Sequence, residues 1–211
     1  MQIFPKTLNV LPVALALVTF VTGAVVTGGV WYYLSPSNFQ VGYAPTQPMP
    51  YSHRMHAGQL GMDCRYCHSN IERSAEAVVP PTQSCMGCHL LVKAQSPRLK
   101  AARDSWASGR PVPWVRVHRL PDHVYFNHSV HLNAGVGCST CHGRVDQMEV
   151  VTIAQPMSMG WCLTCHRDPG PFLRPRDQIT NMAWVQTATP AAQQALAANV
   201  QPPENCSGCH R

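Results

Sequence analysis

Ten cysteines and eleven histidines carry most of the chemistry available to this chain of 211 residues. Every cysteine falls in a Cys-x-x-Cys-His motif, and there are five: Cys64-Cys67-His68, Cys85-Cys88-His89, Cys138-Cys141-His142, Cys162-Cys165-His166 and Cys206-Cys209-His210. In this motif the two sulfurs form thioethers with porphyrin vinyl groups and the adjacent histidine ligates the iron, which is the attachment pattern of haem c. Zinc would need two cysteine pairs per ion, or one pair with two histidines, and does not require a histidine directly after each second cysteine. A disulfide framework fits the cysteine arithmetic but leaves the five histidines unexplained. The motifs therefore predict five covalently bound haem c groups, held by the ten cysteines, with His68, His89, His142, His166 and His210 as proximal iron ligands.

Six histidines remain for the far sides of five irons: His53, His56, His118, His123, His128 and His131. His53 and His56 stand just ahead of Cys64, and His128 and His131 just ahead of Cys138. The arrangement His-x-x-His, motif, motif is thus written twice, as two similar haem-pair modules would be. At i,i+3 the members of a pair share a helical face; the first suits its own module's iron and the second another. His118 lies in an apolar run with Pro113 and Trp114, whereas His123 follows Pro121-Asp122 in a turn-like setting. Pattern alone leaves both open. Met148, Met157, Met159 or Met182 could replace a histidine on one iron, and thioether ligation would raise its potential.

Elements of a particular kind are needed to position so many cofactors. Charged residues make up only 12% of the chain, and proline and glycine number 19 and 14. That composition suits irregular chain, and the haems must form much of the core. The expected fold is a multihaem cytochrome c: one N-terminal transmembrane helix, then a mostly irregular domain with short helices wrapped around five haems and almost no sheet. Site and fold should form together, so the domain should not fold without haem.

Residues 1–34 read as a signal anchor. Leu11 to Leu34 carries no charge and as a helix spans about 36 Å, slightly more than a bilayer core; Trp31, Tyr32 and Tyr33 close it where an aromatic belt meets the interface. A cleaved signal peptide is the competing reading, but its apolar region is usually shorter. Ala24, Gly28 and Gly29 offer a smooth strip to another membrane helix. Residues 35–50 read as a polar, Pro-rich linker and 51–211 as the pentahaem domain, divided into a first haem-pair module (51–109), a second (110–171) and a tail with the fifth haem (172–211). Pro80-Pro81 interrupts the segment between the first two motifs. Val92 to Gly109 is expected to be helical, with Ser96 as N-cap and Pro97 at the first position; Thr189-Pro190 starts a short helix through Ala198.

Lys93, Arg98, Lys100, Arg103, Arg110, Arg116 and Arg119 form a basic stretch relieved only by Asp104 and Asp122. It is either a solvated face that offsets haem propionates or a docking surface for an acidic subunit. Nucleic acid is not an expected partner: the formal +6 omits the propionates, and no aromatic-interleaved basic motif is present.

The anchor together with Y-S-H-R-M-H…G-M-D-C-R-Y-C-H, W-V-R-V-H-R-L-P-D, V-Y-F-N-H-S-V-H and M-S-M-G-W-C-L-T-C-H resembles the membrane-anchored pentahaem cytochrome c subunits of bacterial alternative complex III, a quinol-oxidising respiratory assembly. The His-x-x-His arrangement is also similar to that of the cytochrome c3/c7 group. The resemblance implies distal ligation by His53, His56, His128, His131 and, from the W-x-R-V-H segment, His118; His123 falls where a non-ligand aromatic is expected. It further implies an iron–sulfur subunit, polytopic quinol-binding membrane subunits and a monohaem cytochrome c as neighbours, and a soluble cytochrome or haem–copper oxidase as acceptor. The location implied is the bacterial inner membrane, with the haems on the periplasmic side.

The function expected is non-catalytic electron transfer, because six-coordinate irons cannot bind and transform a small molecule. The alternatives are a multihaem nitrite or sulfite reductase with one open iron, a quinol dehydrogenase of the tetrahaem anchor type serving one periplasmic reductase, and a haem storage module.

Overall fold

The computed structural model describes residues 5–35, 38 and 40–210 and divides into two compact units, residues 1–40 and 41–211. In the first, a 3-10 turn (Lys6–Val10) leads into helix α1 (Leu11–Leu34). None of the residues of α1 is buried. A helix that is apolar all round and covered by no protein is suited to lipid rather than to a protein core. Among the described residues it is the one helix long and apolar enough to cross a membrane. It stops where Ser35 turns extended at ψ 135°.

The second unit is built from short helices and irregular chain. After a π-helical turn (Arg54–Gln59) come α2 (Cys64–Cys67), α3 (Thr82–His89), α4 (Lys100–Ser108), α5 (His128–Ala134), α6 (Cys138–His142), α7 (Met159–Arg167), α8 (Pro190–Ala197) and α9 (Cys206–Cys209). Among the described residues sheet is confined to two isolated antiparallel bridges, Val124 with His210 and Val136 with Leu173. The fold is therefore helical and sheet-poor, as expected.

Local chemistry sets the helix ends. The side chains of Asp63, Asn127, Ser158 and Thr189 accept hydrogen bonds from the first-turn amides of α2, α5, α7 and α8, satisfying donors that a helix leaves unpaired. Pro81 immediately precedes α3. Helix α5 ends at Gly135 with φ 98°, where a Cβ would lie 2.7 Å from the Arg174 carbonyl oxygen, so only glycine suits the position.

Two sequence expectations are modified. Val92 to Gly109 is not one helix: Lys93 sits at φ 51°, Pro97–Leu99 is a 3-10 turn, and α4 starts only at Lys100. Ser96 makes no side-chain cap bond; its carbonyl and that of Ala94 instead accept from Arg103 Nη1 at 2.8 and 2.9 Å. The stretch read as a linker also divides, apart from residues 36, 37 and 39, which lie outside the described residues. Residues 41–50 belong to the second unit. Gly42 donates to Ile153 (2.8 Å), Ile153 donates to Tyr43 (3.1 Å), and the Gln47 amide pairs twice with the Val115 backbone. Met49 is buried in a small apolar cluster with Met86, Leu99 and Ala102, against Val112 and Trp114. A second group of buried apolar side chains includes Leu132, Val136, Leu173, Ile179 and Met182.

Candidate haem c sites

Each cysteine pair lies on a turn of helix: in α2, α3, α6, α7 and α9. Helical spacing brings residues three apart onto one face, so both sulfurs of a pair can meet one flat group. Nearest-neighbour thiols link the motifs in space. Burial and then the charge of Cys85 raise Cys67, which joins motif 1 to motif 2. A thiol hydrogen bond between Cys138 and Cys64 lowers Cys64 to about 7 and raises Cys138, joining motif 1 to motif 3. Burial, then Cys165 and Cys162, push Cys141 up to about 12, and Cys162 is raised by burial and by Cys209. The motifs thus succeed one another as 2, 1, 3, 4, 5, an order that spacing along the chain does not reveal.

The histidines are held in a common way. His68, His89 and His166 each direct Nδ1 at a backbone carbonyl, those of Val78 (3.0 Å), Val92 (2.9 Å) and Pro203 (2.7 Å). His56 and His131 do the same to Ser52 (2.8 Å) and Asn127 (2.7 Å), and His128 to Ala75 (2.8 Å). A carbonyl can only accept, so Nδ1 carries the proton and Nε2 keeps a lone pair for a metal. Burial drives His142 down to about 3, aided by His118, His128, His68 and His53, and His53 to about 4. Both rings are therefore neutral at neutral pH, as ligation requires.

An aromatic ring packs on each His-x-x-His pair. Tyr51 stacks on His56 at 4.6 Å and meets His53 edge-on at 4.8 Å. Phe126 stacks on His131 at 4.5 Å and meets His128 edge-on at 4.7 Å. The signal for these positioning residues is plain in the sequence: an aromatic two residues before each pair. Arg174 supports motif 3 from below. It is buried, donates to Ser139 Oγ and Thr140 Oγ1 at 3.2 Å each and to the Asn181 carbonyl at 3.1 Å, and lies 4.4 Å over the Trp184 ring.

Ring separations bear on whether haem iron fits. Two imidazoles each bound at the usual metal–nitrogen distance of about 2.0 Å place their ring centroids roughly 6.2 Å apart. His56 and His89 stand 6.1 Å apart, His131 and His166 6.2 Å, and His128 and His142 6.4 Å. His118 approaches His142 edge-on at 4.5 Å, too near for an iron between them. His53 is close enough to His68 to be depressed by it. His123, which the sequence pattern left open and the resemblance set aside, lies beside His210 at 5.6 Å with the rings 23° from parallel. Among the methionines, Met182 is buried and Met148 accepts from Thr152 at 3.8 Å. Among the described residues no three His, Cys, Asp or Glu side chains converge as a bare metal ion requires. The donor set fits a covalently attached haem.

These features are similar to those of multihaem cytochromes c, and the comparisons with known proteins point the same way. Residues 124–211 match the family described as cytochrome c7 and related cytochrome c. Over 97 residues the chain is 36% identical to the multihaem cytochrome c subunit of menaquinone reductase from Nitratidesulfovibrio vulgaris Hildenborough, an alignment covering 46% of this chain and 45% of that protein. The chain thus spans slightly under half the length of that curated relative.

Proposed function

We propose that this chain is the membrane-anchored electron-transfer subunit of a quinol-oxidising complex of the alternative complex III type, and that it carries five haems c. Haem c, when bound, supplies one-electron redox chemistry at an iron whose potential the axial ligands tune. The chain's own residues do the rest. The ten cysteines fix the cofactors, and His68, His89, His142, His166 and His210 supply proximal nitrogens. His56, His131 and His128 face His89, His166 and His142 as distal partners, and His53 serves the first motif. The carbonyls of Ser52, Asn127, Ala75, Val78, Val92 and Pro203 hold the Nδ1 protons and so aim each Nε2. Helix α1 anchors the chain in the inner membrane, with the cytochrome unit in the periplasm.

The observation that carries this reading is the unbroken succession of the five motifs combined with three histidine pairs at iron-spanning distance. A relay without substrate chemistry needs both. Neighbours in this reading are an iron–sulfur subunit, polytopic quinol-binding subunits and a monohaem cytochrome c, with a soluble cytochrome or haem–copper oxidase as acceptor. The test is purification from native membranes with its partners. Five haems per chain, quinol-driven reduction in the whole complex and none in the isolated subunit are expected. A readily carbon monoxide-binding iron in the undamaged assembly would sink it.

A second reading concerns direction. The relative's name is that of a menaquinone reductase subunit, which favours electrons flowing toward quinone. Incubating the complex with oxidised menaquinone and a reduced periplasmic cytochrome decides between the two.

A further inference from the structure

We propose that His123 is the sixth ligand of the fifth haem iron, opposite His210. This rests on the pentahaem reading and replaces the assignment by which His118 would have completed the ligand count. The backbone brings these histidines together across the whole second half of the chain. Val124 and His210 form one of the two antiparallel bridges among the described residues, and the Tyr125 amide donates to the Cys209 carbonyl at 2.7 Å. On the other side of His123, the Val124 amide donates to Pro121 at 2.9 Å, closing the turn that presents the imidazole. The rings lie 5.6 Å apart and 23° from parallel. That is nearer to the 6.1–6.4 Å of the three pairs above than to the 4.5 Å edge contact of His118 with His142. Opening it by roughly half an ångström admits an iron with two bonds of about 2.0 Å.

His118 faces a different neighbourhood. Its ring packs edge-on against His142 at 4.5 Å. The histidines around motifs 1 and 3 therefore outnumber the two irons they would serve, whereas among the described residues the motif at Cys206 has one histidine, His123, within ring contact. Ligand supply balances when His123 goes to the fifth iron and His118 to none.

The experiment uses the full-length protein with its haems, assembled in its membrane complex, in three forms: His123→Ala, His123→Met and His118→Ala. Pyridine haemochrome gives haems per chain, electron paramagnetic resonance gives the spin state, and carbon monoxide and imidazole serve as probes. In His123→Ala one haem in five becomes high-spin and binds carbon monoxide, and added imidazole returns it to low spin. In His123→Met that haem stays low-spin with a raised potential. His118→Ala leaves all five low-spin. Five haems that all remain low-spin in His123→Ala would overturn the assignment while leaving the pentahaem reading intact. Fewer than five haems in the unaltered protein would overturn both. Should His123→Ala fail to accumulate, an unchanged potential for every haem in His123→Met is the overturning result.

Discussion

At the scale of single residues, ring orientation is set by neighbours as much as by the chain. Phe126 and Tyr51 each clamp the second histidine of a pair by stacking while a carbonyl four residues back accepts a hydrogen bond from its Nδ1. Replacing Phe126 by Leu keeps apolar bulk but removes the stack, which is worth about 0.5–1.5 kcal/mol beyond area burial. The expected outcome is a stability loss of that size, read in a thermal melt, together with broadened low-spin signals from the two haems that His131 and His128 would serve. Arg174 offers a second residue-scale check. Its guanidinium reaches Ser139, Thr140 and Asn181 at once and covers Trp184. A lysine has neither the planar fork nor the stacking face, so Arg174→Lys should cost on the order of 1–3 kcal/mol, the penalty for leaving buried partners unsatisfied, measured by denaturant unfolding. The aromatic before each His-x-x-His was legible in the sequence as a repeat. That His123 meets His210 was not, because their contact depends on a backbone bridge between segments far apart in the chain.

At the scale of elements, caps and turns hold very short helices in place. Asp63 caps α2 and accepts from the Arg65 amide and Nε at 2.8 Å each and from Thr180 Oγ1 at 2.9 Å. The hydrogen bond from Arg65 is the main reason its carboxyl falls from 3.8 to about 2. A carboxylate depressed in the folded state stabilises above its ordinary value, and that stabilisation fades as pH falls from about 4 through about 2. Asp63→Asn should therefore weaken the protein at neutral pH, and the difference from the parent should shrink toward pH 2 in melts across that range. Gly135→Ala forces a side chain into left-handed backbone and against the Arg174 carbonyl. A cost of about 1–3 kcal/mol is expected for the conformation, seen as a lowered melting temperature. The start of α8 at Thr189-Pro190 could be read directly, since cap and N1 proline are local signals. The late start of α4 could not: Arg103 ties the carbonyls of Ala94 and Ser96 into a turn, a tertiary preference that outweighs helix propensity.

At the scale of the whole molecule, an apolar helix with no buried residues and a cytochrome unit with small apolar clusters answer to different solvents. The first suits lipid. Deleting residues 1–40 behind a cleavable export signal should move the haem-bearing unit from the membrane to the soluble periplasmic fraction with its haem content unchanged, as fractionation and haem staining would show. With haems bound as proposed, the second would rely on them for cohesion, because little apolar side-chain surface is enclosed by protein alone. Export in cells unable to attach haem c should yield a chain without cooperative unfolding that is rapidly degraded.

The five attachment motifs are legible in the sequence alone, because Cys-x-x-Cys-His is a local pattern whose chemistry would reside in adjacent atoms. The apolar helix, the duplicated His-x-x-His modules and the scarcity of sheet are legible for the same reason, each being carried by composition or short spacing. Tertiary structure alone decided the succession of motifs as 2, 1, 3, 4, 5, the folding of residues 41–50 into the cytochrome unit, and which histidines face one another. Those depend on contacts such as Cys64 with Cys138, Gln47 with Val115 and Val124 with His210. Nothing in the spacing along a chain specifies which distant segments its irregular loops will bring together.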